Sequence, residues 1–130
     1  MAEQISFALG TFSAPAGAAF TAMILGEQVI ALRDIEARCA AEGTPLSRHD
    51  DMLDVVMDWD RNIAALTTIA GKIAGDAALE ALMQPISGLR VHAPIQPRQI
   101  FCAGANYRRH VVDMIVDRFR SEEQQQRPEA

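Results

Sequence analysis

The sequence predicts an α+β fold: a small antiparallel sheet with packed helices, followed by a strand–turn–helix. Three observations carry this. Short apolar runs punctuated by turn residues fill the first third of the chain. Apolar residues then recur every three or four positions from Leu53 to Ile73. A brief apolar run at Ile100–Ala103 meets Gly104-Ala105-Asn106 and passes into a second helical pattern at Val111, Val112, Ile115, Val116 and Phe119. The fold class also bounds the size. At 130 residues there is room for one domain, and a 49% hydrophobic share suffices for a core. Aromatics supply only 5%, so that core is built from Ala, Leu, Ile, Val and Met.

In chain order, Ile5–Phe12 is an apolar run that ends in the loop signal Ser13-Ala14-Pro15-Ala16-Gly17. Ala19–Leu25 and Gln28–Leu32 flank Gly26-Glu27, which reads as a β-hairpin with a II′-like turn. These runs make a sheet of about three strands, with nothing chemical on it. Asp34–Ala41 is a turn or two of helix, ended by Gly43 and Pro45. Ser47-Arg48-His49-Asp50 fits a helix start, and the helix that follows is interrupted near residues 60–62 and closed by Gly75. Trp59 is the expected packing anchor. Asp50, Asp54 and Asp58 recur at i, i+4 and i+8 beside His49. A row along one helix does not surround an ion, so a solvated face is expected there. Ala77–Met83 is a brief helical piece stopped by Pro85. Leu89–Ala93 alternates like a strand, with His92 structural or exposed. Pro94 and Pro97 form a rigid link. The expected organisation is a small domain over residues 1–93, a linker, strand and motif helix over 94–120, and a disordered tail over 121–130.

Charge and cysteines narrow the class. The net charge of −5, without a long basic run, argues against a nucleic-acid partner. Two cysteines make no disulfide framework; Cys102 reads as a small core residue and Cys39 has no ligand pattern around it. No apolar run reaches bilayer length and the start lacks a signal peptide's basic region, so the expectation is no membrane and a cytoplasmic setting.

The chemistry-bearing side chains gather after Gly104: Asn106, Tyr107, Arg108, Arg109, His110 and Asp113. His110 and Asp113 stand at i and i+3, one helical turn apart. A carboxylate beside an imidazole fixes its tautomer and favours its protonated form, which is a minimal general-base pair. The same spacing also suits a surface histidine near a capping aspartate.

Gly104-Ala105-Asn106-Tyr107-Arg108-Arg109-His110, with Asp113 three residues on, resembles the motif of the fumarylacetoacetate hydrolase family. Pro94–Ile100 resembles the approach to that motif. Leu9-Gly10-Thr11-Phe12 and Asp58-Trp59-Asp60 resemble the family's amino-terminal domain. The resemblance covers most of the chain to about Asp117. It departs in having Asp113 where the family usually has Glu. It also implies that the family's metal carboxylates lie in a larger domain beyond the motif, so the chain is expected to be the front part of a longer protein.

The resemblance implies cleavage of a C–C bond in a β-diketo or acylpyruvate-type acid, chemistry of the kind used in aromatic catabolism. His110 would be the base and Asp113 its orienting carboxylate. Tyr107 and Arg109 would touch the keto-acid substrate. A divalent metal (Mg, Ca or Mn) would serve the full-length protein, with none bound by this fragment. Hydratase, isomerase and decarboxylase relatives share the fold, and a non-catalytic protein-interaction domain is a separate alternative. A homo-oligomer is expected, because Val112, Ile115, Val116 and Phe119 would lack a partner surface here.

Overall fold

The computed structural model describes residues 5–104 and 107–125, with side chains to residue 122 in the last helix. The chain divides into two compact units, Met1–Pro97 and Arg98–Ala130. The class is α+β, with a curled five-stranded antiparallel sheet.

In the first unit, β1 (Ala8–Ser13) pairs with β2 (Phe20–Leu25), and β2 pairs with β3 (Gln28–Ala31). The turn between β2 and β3 places Gly26 at φ 61° while Glu27 keeps a negative φ, the sign pattern of the expected II′ hairpin. Strand β1 starts at Ala8, not Ile5, because Ala8 already pairs with Ile24 and β2 ends in the turn at the next residue but one. The sheet adds two strands to the three expected at the start of the chain, one of them within the strand expected over Leu89–Ala93. β4 (Gln84–Pro85) lies on the outer edge of β3, and β5 (Arg90–His92) lies on the outer edge of β1. Pro85 is tolerated there because an edge strand need not donate on both sides.

The order β4-β3-β2-β1-β5 forces curvature. Five flat strands would span about 19 Å from edge to edge. The link from β4 to β5 contains only Ile86–Leu89, and Ile86–Gly88 is wound as a 3-10 turn, which rises about 2 Å per residue. Such a link reaches the far edge only if the sheet curls. Both faces are therefore buried. Phe12, Phe20, Ala22, Val29 and Ala31 fill the inside of the curl, with Ile86 and Leu89 packed on them. Met23 and Ile30 point the other way, into a core shared with the helices.

Helix α1 (Leu32–Ala41) follows β3 without a loop and buries Leu32, Ile35 and Cys39. It ends as expected at Gly43. Gly43, at φ 78°, donates to Ala40 O at 3.1 Å, and Thr44 N–H donates to Cys39 O at 3.0 Å, the paired bonds of a Schellman cap. Helix α2 (Met52–Met57) starts later than the Ser47–Asp50 pattern suggested. Asp51 is the cap, its carboxylate accepting from Asp54 N–H at 2.8 Å. The break falls at Asp58, and α3 (Trp59–Ile73) continues to the turn at Gly75, φ 90°.

Asn62 holds that break together. It is fully buried on α3. Its Nδ2 donates to Val55 O and to Ser47 Oγ, both at 2.9 Å, and its Oδ1 accepts from Ser47 N–H at 2.9 Å. One amide thus closes a carbonyl that the broken helix leaves open and anchors the loop before α2. Trp59 corrects an expectation. It is 42% exposed, because the break turns it toward the rim of the helix layer while Leu66, Ile69 and Ile73 take the core. A short helix α4 (Ala77–Glu80), capped by Asp76, completes the unit.

The second unit holds α5 (Arg108–Gln125). Residues 100–103 are not a strand, and Ile100 and Phe101 are 73% and 86% exposed. A strand needs a partner for its backbone ladder, and among the described residues this unit contains none. Cys102 is accordingly exposed, not in a core, whereas Cys39 is buried and burial pushes its thiol pKa up. The disordered tail expected from Ser121 gives way to helix through Gln125. Ser121 Oγ donates back to Asp117 O at 2.8 Å, and Arg118 pairs with Glu122 at 3.2 Å. The rest of that tail lies outside the described residues.

Candidate functional site

The motif residues occupy the start of α5. Val111 N–H donates to Tyr107 O at 3.1 Å, so the first turn closes over Tyr107. Arg108, Arg109 and His110 form that turn and Asp113 follows one turn later. Tyr107, Arg109, His110 and Asp113 are all exposed. Helical spacing puts His110 and Asp113 on neighbouring surface positions, and Arg109 and Asp113 at i and i+4. Among the described residues no hydrogen bond joins His110 to Asp113. Ala105 and the motif's Asn106 lie outside the described residues.

Among the described residues no three His, Cys, Asp or Glu side chains converge. The row expected from Asp50, Asp54 and Asp58 is also not a row. Asp50 precedes α2 and Asp58 sits at the break, while Arg48 stands 3.5 Å from Asp50 and 3.6 Å from Asp54.

The first unit carries a cleft of about 300 Å³ beside β1 and β5, lined among others by Thr11, Thr21, Asp50, Asp51, His92 and Gln96. Thr11 pairs across the sheet with His92, and Ser13 lies on the same face of β1 two residues on. Ser13 Oγ and His92 Nε2 are 2.8 Å apart. Ser13 is only 2% exposed, so this contact orients the ring and does not present a nucleophile. Other polar groups at the cleft are also engaged: Thr11 with Pro94 O at 2.9 Å, Thr21 with His49 O at 3.0 Å, Asp51 in its cap. His92 has no carboxylate or second His at ligand spacing in the sequence, and the partner it finds, Ser13, is 79 residues away. The alternation of Thr11 and Ser13 along β1 was the available signal.

A second polar cluster joins α1, α3 and α4. Glu42 accepts from Lys72 Nζ and from Arg38 Nε, and these donors hold its carboxylate below the usual range. Asp76 accepts from Leu79 N–H at 3.2 Å and from Arg38 at 2.5 Å, which hold its pKa down likewise. Arg38, between the two carboxylates, is raised. This cluster ties three helices together.

No protein-family model, curated protein or solved structure matches the chain.

Proposed function

We propose that this chain is the amino-terminal part of a fumarylacetoacetate hydrolase family enzyme that cleaves a C–C bond in a β-diketo or acylpyruvate-type acid. The observation that carries the reading is the motif Gly104 to His110, with Asp113 one turn later at the head of α5. In this role His110 takes a proton from water, and Asp113 orients the imidazole and stabilises its charged form. Tyr107 and Arg109, on the same exposed turn, contact the keto acid, Arg109 through its carboxylate. The resemblance implies a divalent ion held by carboxylates of a larger domain beyond the motif. The fragment alone is then inactive. A cytoplasmic homo-oligomer is the setting proposed. No helix of the described residues is long and apolar enough to cross a membrane.

The test is acylpyruvate hydrolysis by the product of the native gene, at whatever mass it is made, with Mg²⁺ present. His110→Ala is expected to lower the rate about 10²–10⁴-fold. Unchanged turnover sinks the assignment. A keto-acid panel read for hydration, isomerisation or decarboxylation separates the related activities. The exposed apolar side of α5 favours a second reading, a protein-interaction surface.

A further inference from the structure

The cleft beside β1 and β5 is lined entirely by residues of the first unit. Its floor is one face of the sheet. Thr11 sits directly opposite Thr21 on β2 and directly opposite His92 on β5, so the three side chains stand in a row across the strands. Under the helices the same face is apolar, with Leu9 two residues before Thr11 and Met23 two residues after Thr21. At the row it turns polar, and the residues that lead into α2, Asp50 to Leu53, supply further wall. We infer that this cleft binds a small aliphatic primary ammonium ion, which donates its N–H groups to Asp50, Asp51 and the hydroxyl oxygens of the row and lays its methylenes against Met52 and Leu53.

The hydrogen-bond inventory of the cleft selects the ligand. Thr11 and Thr21 each have a single hydroxyl proton, and both protons point into the protein, toward Pro94 O at 2.9 Å and His49 O at 3.0 Å. What each oxygen has left for a ligand is lone pairs. Ionised Asp50 and Asp51 accept and do not donate; Asp51 gives Oδ1 to Asp54 N–H and keeps Oδ2. Among the described residues no Lys or Arg lines the cleft, while His92 and Gln96 can serve as donor or acceptor. The lining is therefore rich in acceptors and negative charge, and a ligand that answers it carries several N–H donors and a positive charge. A keto acid or a phosphate would meet two carboxylates and no fixed cation. The cleft is thus no second site for the substrate proposed above, and the inference does not rest on that reading. Arg48 competes for Asp50 at 3.5 Å, but the two side chains are 79% and 80% exposed, so water screens the pair. A volume of about 300 Å³ is at the small end for ligand pockets and suits a molecule of a few carbons.

Calorimetric titration of the 130-residue chain with 1,4-diaminobutane, at neutral pH and low salt, tests this. Saturable binding of one diamine per chain is expected, with Kd at or below about 1 mM. Tetramethylammonium has the charge without the N–H donors, and 1,4-butanediol has the length without the charge. Both are expected to bind at least about tenfold more weakly. Absence of saturable diamine binding overturns the proposal, and so does tetramethylammonium binding as tightly, because attraction to the chain's net charge of −5 would then suffice. Asp50→Asn and Asp51→Asn are each expected to weaken the diamine about tenfold. Asn caps a helix about as well as Asp, so Asp51→Asn leaves α2 its start, and an unchanged urea midpoint checks that the unit stays folded. Asp60→Asn removes the same charge from the first turn of α3, outside the lining, and is expected to leave binding as it was. Variants at positions 50 and 51 that bind like the parent, or a loss as large at position 60, overturn the assignment to this cleft.

Discussion

Replacing Asn62 by Leu keeps the side chain's bulk and removes its three hydrogen bonds. The consequences differ at each partner. Val55 is fully buried, and the break at Asp58 takes away the intrahelical donor its carbonyl would otherwise have. Stranding that carbonyl costs about 1–3 kcal/mol. Ser47 is only half-buried, so its N–H and hydroxyl turn to water, and losing them costs about 1 kcal/mol more. The expected destabilisation is about 2–4 kcal/mol, or a fall in Tm on the order of 10–25 °C for a unit of this size. Urea unfolding followed by the single Trp59 measures it, with the slope against urea expected to stay constant. Asn62→Asp supplies the control. It keeps the acceptor for Ser47 N–H but faces Val55 O with a buried charge. Its deficit is therefore expected to exceed that of Leu at neutral pH and to shrink in acid, where a protonated carboxyl can donate. A loss below about 0.5 kcal/mol for Asn62→Leu would refute the reasoning, because it would mean that the Val55 carbonyl never depended on the amide.

Two further outcomes follow from the same unit. Glu42 and Asp76 have folded pKa values below their ordinary ones, so their contribution is present above the usual carboxylate range near pH 4 and is lost as pH falls through the folded values. The urea midpoint is expected to drop more steeply in acid for the parent than for Glu42→Gln/Asp76→Asn, and superimposable curves would show that the cluster contributes nothing. Two glycines should answer to alanine with opposite signs. Gly43, at φ 78°, is expected to cost about 1–2 kcal/mol, whereas Gly71, inside α3 with open space around it, is expected to gain about 0.5–1 kcal/mol; equal effects in chemical denaturation would contradict both backbone assignments.

Local chemistry was legible where it decides structure by itself. Gly26 announced the hairpin, Gly43 and Gly75 the helix ends, and the three-to-four spacing from Leu53 to Ile73 the main helix layer. Non-local pairing was not legible. Ile100–Ala103 has the composition of a buried strand and stays unpaired, because composition does not supply a neighbouring strand. β4 escaped notice for the converse reason: two residues ending in Pro85 carry no strand signal, and only their place beside β3 makes them one. The pattern at Ser47–Asp50 pointed to an earlier helix start, and the cap falls at Asp51, from which Met52 and Val55 reach the core. At the candidate site, the order of residues from Gly104 to Asp113 was legible, and so was the helix that begins at Arg108. The contact between Ser13 and His92 was not, since it exists only through the pairing of β1 with β5.

The two units stand in contrast in what holds each of them. The first closes its own account of polar groups: its buried Ser13, Thr21 and Asn62 all have partners, and its sheet is buried on both faces. The second is a helix of 18 residues whose apolar stripe remains exposed. Helices of this length are marginal in water by propensity alone, and exposed pairs such as Arg118–Glu122 add only a few tenths of a kcal/mol. Most of the stability of such a helix must come from covering its apolar side. Helix formation and the covering of that stripe therefore belong to one equilibrium, and whatever surface covers Ile115 and Phe119 also sets how firmly the turn that carries His110 and Asp113 is held. A base and its orienting carboxylate work only when their separation is fixed, so the activity proposed for the motif depends on a contact made on the opposite side of the same helix.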